Sequence, residues 1–105
     1  MQITIANNNE PRMTGSDLFF FDTDTLSVIA NLGATSWEES SLSRAAWVQQ
    51  SKQDDIARRQ AREMTAKFHQ AVRTEFGLSP LQAVTREHVR KLMRNSIGCP
   101  WTITF

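Results

Sequence analysis

Residues 34–76, about two fifths of the chain, contain neither Gly nor Pro. These two residues interrupt helices most strongly, so their absence favours a long helical region. In the second half of the segment, apolar residues step by three and four positions, which at about 100° per residue places them on one helix face. The members of this apolar stripe, which we expect to be buried, are Ala57, Ala61, Met64, Phe68, Ala71 and Val72.

The beginning of the helical region has two candidate capping signals. Ser36 with Glu39 has the spacing of a capping box, and Ser51 with Asp54 is a looser version that would mark a break. We therefore expect either two helices or one bent helix. The predicted ranges are about Trp37 to Gln50 and about Lys52 to Phe76.

A further helix is predicted after Gly77, which can end the preceding one. Ser79 followed by Pro80 is a typical helix start, and Thr85 is a second possible cap one turn later. The helix should end near Asn95. Its expected buried residues are Val89, Leu92 and Met93.

Short strands are predicted on both sides of the helical region. Residues 2–6 and 101–105 alternate polar and apolar side chains, and residues 18–21 form a compact apolar run. Residues 25–32 fit either the second strand of a hairpin or a short helix, and we favour the strand because Val28 and Ile29 are β-branched.

Together these elements predict a small α+β domain. Its antiparallel sheet, built from N- and C-terminal strands, packs against two or three helices. The length fits a single domain over residues 1–105, with strands and loops in 1–33, helices in 36–95 and a terminal strand in 101–105.

Charge is unevenly distributed along the chain. Residues 1–57 contain three basic and eight acidic residues, a net charge of −5, whereas residues 58–105 contain nine basic and three acidic residues, a net charge of +6. A chain polarised in this way tends to have a polarised surface that attracts charged partners.

The basic residues of the second half fall on two helix faces. The first basic face consists of Arg58, Arg62 and Arg73, within an arc of about 60° that also contains His69, with Arg59 at its edge. The second basic face consists of Arg86, Arg90 and Arg94, which are four residues apart, with Lys91 nearby.

Arginine offers rigid, bidentate donors that match phosphate oxygens. The leading hypothesis is therefore a non-catalytic regulatory or accessory protein that binds nucleic acid, and DNA in particular, through these faces. Three alternatives remain for the same residues. They could face only solvent, contact an acidic protein surface, or contact the chain's own acidic half. The opposite charges of the two halves would also suit a homodimer.

The runner-up hypothesis is a protein-binding inhibitor or adaptor of the kind that phages and other mobile elements encode, for example an inhibitor of a nucleic-acid-processing complex. The small size, the lack of catalytic groups and the three Trp residues fit it. Trp47 lies off the neighbouring apolar face, so it either packs in the core, which we favour, or contributes to an interface.

Catalytic, metal and cofactor sites are not expected. His69 and His88 lack any metal-binding spacing, and the single Cys99, without an adjacent base, is expected to be a buried small hydrophobe. We expect no small-molecule substrate and no enzymatic activity. Without a signal peptide, an apolar membrane span or a disulfide, the sequence favours the cytoplasm.

Two short segments resemble known families. Residues Phe76–Met93, about a sixth of the chain, resemble the helix–loop–helix of the core-binding domain of tyrosine recombinases, which implies DNA contact. The apolar run that ends in Asp22-Thr23-Asp24 resembles the first motif of haloacid dehalogenase-type phosphohydrolases, in which the two Asp residues act with Mg²⁺. Thr25-Leu26 stands where that family has Gly-Thr, so we expect a turn here and not a phosphohydrolase site.

Overall fold

The structure, a computed structural model, describes residues 1–6, 10–32, 38 and 41–105. The predicted α+β class is confirmed: antiparallel strands form two sheets that pack with two helices. The elements in chain order are β1 (Gln2–Ile5), β2 (Arg12–Thr14), β3 (Phe19–Asp22), β4 (Ser27–Ala30), α1 (Arg44–Phe76), α2 (Arg86–Asn95) and β5 (Trp101–Thr104).

The first sheet has three antiparallel strands in the order β2-β1-β5. Ile3 of β1 lies opposite Ile103 of β5 and opposite Met13 of β2. The pairing of the last strand with an N-terminal one, predicted from the sequence, is confirmed. Strand β2 was not predicted, because three residues are too few for an alternating pattern to stand out.

The second sheet is the hairpin of β3 and β4, in which Phe20 lies opposite Ile29. The strand predicted within residues 25–32 is therefore confirmed, and the helical alternative is wrong. The Asp22 carboxylate accepts hydrogen bonds from the Asp24 amide and the Thr25 hydroxyl, each at 3.0 Å. Asp22 therefore forms the turn, as such residues commonly do.

Helix α1 is continuous over 33 residues, so the two-helix alternative with a break at Ser51 is wrong. The helix begins later than predicted because Ser43 is its N-cap, with the side-chain oxygen accepting the Ala46 amide at 3.3 Å. The earlier capping candidates, Ser36 and Glu39, lie outside the described residues, as does Trp37. Gly77 ends the helix in the left-handed conformation, at a φ of 64°.

The core lies between α1 and both sheets. The apolar stripe of α1 is buried as predicted, except that Ala71 is half-buried. Phe68, which is fully buried, contacts Phe21 of the hairpin at 4.8 Å and Trp101 of the three-stranded sheet at 5.9 Å between ring centroids. This one side chain joins the helix to both sheets.

Helix α2 begins at Arg86, so the later of the two predicted starts is the observed one, with Thr85 as N-cap. The imidazole Nδ1 of His88 accepts the Thr85 backbone N–H at 3.0 Å, which satisfies a donor at the helix start. Val89 and Leu92 are buried against the core and Met93 is half-buried beside it.

Candidate nucleic-acid interface

The two predicted basic faces lie on α1 and α2, whose opposite sides are anchored in the core. Every side chain of both faces is exposed, except that of Arg73, which is half-buried. Because the helices are fixed by packing, these charges are held on rigid elements. The basic residues concerned are Arg58, Arg59, Arg62 and Arg73 on α1, and Arg86, Arg90, Lys91 and Arg94 on α2.

On the first basic face, Arg59 and Arg62 have no ion-pair partner among the described residues. Arg58 pairs with Asp55, one turn earlier on the same helix, at 3.1 Å, and both side chains are largely exposed. Exposed pairs of this kind contribute about 0.2–1 kcal/mol, so a stronger anionic partner can replace the carboxylate.

Arg73 lies at the end of this face nearest α2. Its Nε donates to the backbone carbonyl oxygen of Gln82 at 2.7 Å. This hydrogen bond fixes the loop between α1 and α2 to the surface of α1. Arg73 thus has a structural contact in addition to its predicted place on the basic face.

His69 does not extend the first basic face into solvent. The ring is half-buried, and its Nε2 lies 2.6 Å from the carbonyl oxygen of Leu26 in the hairpin turn. The predicted arc is therefore covered at His69, because the β3–β4 hairpin packs against α1 at this position. Periodicity along α1 alone could not show which neighbour would cover that side.

On the second basic face, one carboxylate lies between two arginines. Glu87 pairs with Arg94 at 3.1 Å and with Arg90 at 3.6 Å. Arg86 pairs with Asp24 of the hairpin turn at 3.8 Å. The hairpin's acidic turn thus lies beside the start of α2, and part of the acidic half contacts the basic half.

The net charge of α2 nevertheless remains positive. The helix contains four basic residues and one acidic residue, a net charge of +3. Lys91 has no ion-pair partner among the residues described. All the α2 ion pairs are exposed on both partners, at 53% or more of the side chain.

Within the described ranges, no three His, Cys, Asp or Glu side chains lie close enough to hold a metal ion. Cys99 is exposed, so its predicted burial is wrong; it lies in the turn between α2 and β5.

Among the residues that the structure describes, no helix has the length and apolar character needed to cross a bilayer.

The exposed apolar side chains at the beginning of α1 were not predicted from the sequence. Residues 44–53 of α1 include no buried side chain, and Trp47 is half-buried without contributing to the core cluster. Leu42, Val48 and Ile56 are between 41% and 52% exposed. At about 1.5 Å per residue, α1 is about 50 Å long, which equals the molecule's longest dimension of 50 Å.

Comparison with models of protein families, with curated proteins and with solved structures finds no match to this chain. The short segments that resemble tyrosine recombinases and haloacid dehalogenase-type enzymes are therefore not supported by a match over the chain.

Proposed function

We propose that this protein binds nucleic acid, and DNA in particular, without catalysis and through the two basic faces. The observation that carries the proposal is the presence of Arg59 and Arg62, exposed and without a carboxylate partner among the described residues, one turn apart on a rigid helix. Guanidinium groups match phosphate oxygens in a bidentate geometry, and a fixed helix requires little ordering on binding.

The paired arginines support the same proposal. Within the described part of the chain, Arg58, Arg90 and Arg94 form ion pairs only with exposed carboxylates of their own helix. Exchanging such a carboxylate for a phosphate loses little, whereas counterions released from the nucleic acid favour binding. A polyanion can therefore use these paired arginines as well as the unpaired residues.

A direct test measures binding of fluorescently labelled duplex and single-stranded DNA by anisotropy at low salt, about 50 mM. We expect binding that weakens steeply as salt rises, because neutralisation of phosphates by the basic faces releases counterions. Absence of binding to both duplex and single strand at low salt would contradict the proposal. For substitutions on the basic faces, such as Arg59→Gln/Arg62→Gln, the control is Lys67→Gln on α1. It removes one exposed positive charge outside both basic faces.

A second candidate function, the protein-binding inhibitor or adaptor, is favoured by the exposed beginning of α1. There the half-buried Trp47 lies near the exposed side chains of Leu42 and Val48 in sequence, on a segment without buried residues. Trp is enriched among the residues that dominate binding energy at protein interfaces.

Affinity purification from a native extract, with and without nuclease, separates the two functions. A partner protein that remains after nuclease treatment and is lost with Trp47→Ala would support the inhibitor or adaptor. Leu81→Ala is the matched control, because Leu81 is apolar and 95% exposed but lies in the loop between the helices. Partners that disappear with nuclease alone would instead support nucleic-acid binding.

A further inference from the structure

The outer edge of β5 is open in the part of the chain that the structure describes. In the order β2-β1-β5, β5 pairs with β1 on one side, and no described strand pairs with its other side. Sheet edges are commonly protected by charged residues or Pro within the strand. Strand β2, at the opposite edge, contains Arg12, whereas Trp101–Thr104 contains neither a charge nor Pro.

The register shows which backbone groups face outward. The Phe105 amide donates to the carbonyl oxygen of Met1 at 3.0 Å, so these two residues form a hydrogen-bonded pair. Two residues further along each strand, Ile103 lies opposite Ile3. Hydrogen-bonded and non-hydrogen-bonded pairs alternate in an antiparallel ladder. The backbone N–H and C=O groups of Thr102 and Thr104 therefore point away from β1, toward the open edge.

The core-facing side of β5 is also incompletely covered. Ile3 and Ile5 of the central strand are 0% exposed, whereas the core-facing Trp101, Ile103 and Phe105 are only half-buried. A groove of about 560 Å³ lies beside them, between β5 and α1. Its α1 side is formed by Lys67, Gln70, Ala71 and Thr74.

We infer that two copies of this chain pair through their β5 edges, antiparallel and about a two-fold axis at Ile103, to form a continuous six-stranded sheet. In this arrangement, Thr102 of each copy lies opposite Thr104 of the other. Both are residues whose backbone groups point outward, so four inter-chain hydrogen bonds form.

The same register also pairs the side chains favourably. On the core-facing side, Trp101 lies opposite Phe105 of the second copy, and the two Ile103 residues lie opposite each other. Aromatic and β-branched cross-strand pairs stabilise antiparallel sheets. On the other side Thr lies opposite Thr, so like charges are not brought together. The strand is thus complementary to itself in both backbone and side chains.

The first arm of the test measures molecular mass across protein concentration, from about 5 to 500 µM, by sedimentation equilibrium. The inference predicts a monomer–dimer equilibrium within this range. Mass that remains monomeric up to the highest concentration would overturn it.

The second arm uses charge exchange at the two outward-facing positions. In T102K/T104K, each Lys lies opposite a Lys of the second copy, and in T102E/T104E each Glu lies opposite a Glu. Because like charges in directly opposed pairs are destabilising, each variant alone should have a dimer Kd raised about tenfold. An equimolar mixture of the two should recover dimerisation as a mixed pair.

Two controls make the result specific. T14K places a Lys on the same polar side of the sheet but at the β2 edge, and it should leave the dimer Kd unchanged. Far-UV circular dichroism and thermal unfolding of each variant establish that it is folded. Dimerisation that is insensitive to T102K/T104K, or a mixture with T102E/T104E that does not recover, would overturn the β5 pairing.

Discussion

The imidazole of His69 and the carbonyl oxygen of Leu26 are joined by a hydrogen bond of 2.6 Å, in which the ring Nε2 donates. Leu26 has a φ of 53°, an unfavourable backbone conformation for a residue other than Gly, and its side chain is buried. The turn is therefore held by two features at once, the burial of Leu26 and the hydrogen bond from α1. His69 is thus a residue that fixes the hairpin to the long helix.

Replacing His69 with Ala should lower the free energy of unfolding by about 1–3 kcal/mol, because the Leu26 carbonyl loses its donor in a partly buried position. Equilibrium urea unfolding measures the change. Gln70→Ala, the next residue on the exposed side of α1, is the control and should change the free energy by less than about 0.5 kcal/mol. Equal effects of the two substitutions would show that the hydrogen bond does not stabilise the fold.

A second contact between α1 and the hairpin is made by Thr65, whose hydroxyl accepts the Val28 backbone N–H at 2.8 Å. Thr65→Val keeps the shape but leaves this N–H without its acceptor, so we expect a loss of about 1–3 kcal/mol in urea unfolding. Thr74→Val is a matched control, because each hydroxyl donates to the carbonyl oxygen four residues earlier in α1 but Thr74 lies in solvent. A Thr65→Val protein as stable as Thr74→Val would contradict the assigned role.

The beginning of α2 depends on His88, whose Nδ1 accepts the Thr85 backbone N–H. His88→Ala should lower the free energy of unfolding by about 1 kcal/mol, as the loss of other capping interactions does. His88→Gln should retain most of the stability, because Gln at this position can form the same capping box. Chemical unfolding followed by circular dichroism distinguishes the two variants, and a Gln variant no better than Ala would argue against capping by the side chain.

Glu87 limits the second basic face by pairing with Arg90 and Arg94. If this face binds phosphate, Glu87→Gln should tighten DNA binding for two reasons. Both guanidinium groups become available, and a carboxylate that repels the phosphates is removed. Glu75→Gln makes the same change in net charge on α1, where no ion pair to these arginines exists. Anisotropy titrations should show a larger gain for Glu87→Gln, and equal gains would mean that only net charge matters.

The sequence predicts those parts of the fold that depend on local patterns. The buried stripe of α1 follows from the spacing of Ala57, Ala61, Met64, Phe68 and Val72, and the two terminal strands follow from alternation. Long-range partners are not encoded in such patterns. The hairpin turn lies against His69, and Asp24 lies near Arg86, only because the chain folds back on α1.

The beginning of α1 shows a different limit. Ser36, Ser43 and Ser51 are all acceptable caps by residue type, and the sequence favours the first because Glu39 follows it at capping-box spacing. In the structure Ser43 caps the helix, and Ser51 lies inside it, where Ser costs little. Similarly, β2 forms because β1 has an edge to pair with, and its own three residues carry little signal.

The basic faces include features that local sequence patterns predict and contacts that they do not. Helical periodicity places Arg58, Arg59 and Arg62 together on exposed α1 surface, as the structure shows. It could not show that Arg73 binds the Gln82 carbonyl or that the hairpin covers His69. The spacing of Glu87 and Arg90, three residues apart on a helix, is by itself enough to predict their ion pair.

The salt dependence of DNA affinity, measured for the unmodified protein and for Arg59→Gln/Arg62→Gln, tests whether the first basic face binds phosphate. Because each phosphate contact contributes about −0.9 to the slope of log K against log salt, the double variant should have a slope shallower by about 2. Lys67→Gln should leave the slope unchanged. An Arg59→Gln/Arg62→Gln protein that is folded and has the slope of the unmodified protein would contradict the claim that the first basic face binds phosphate.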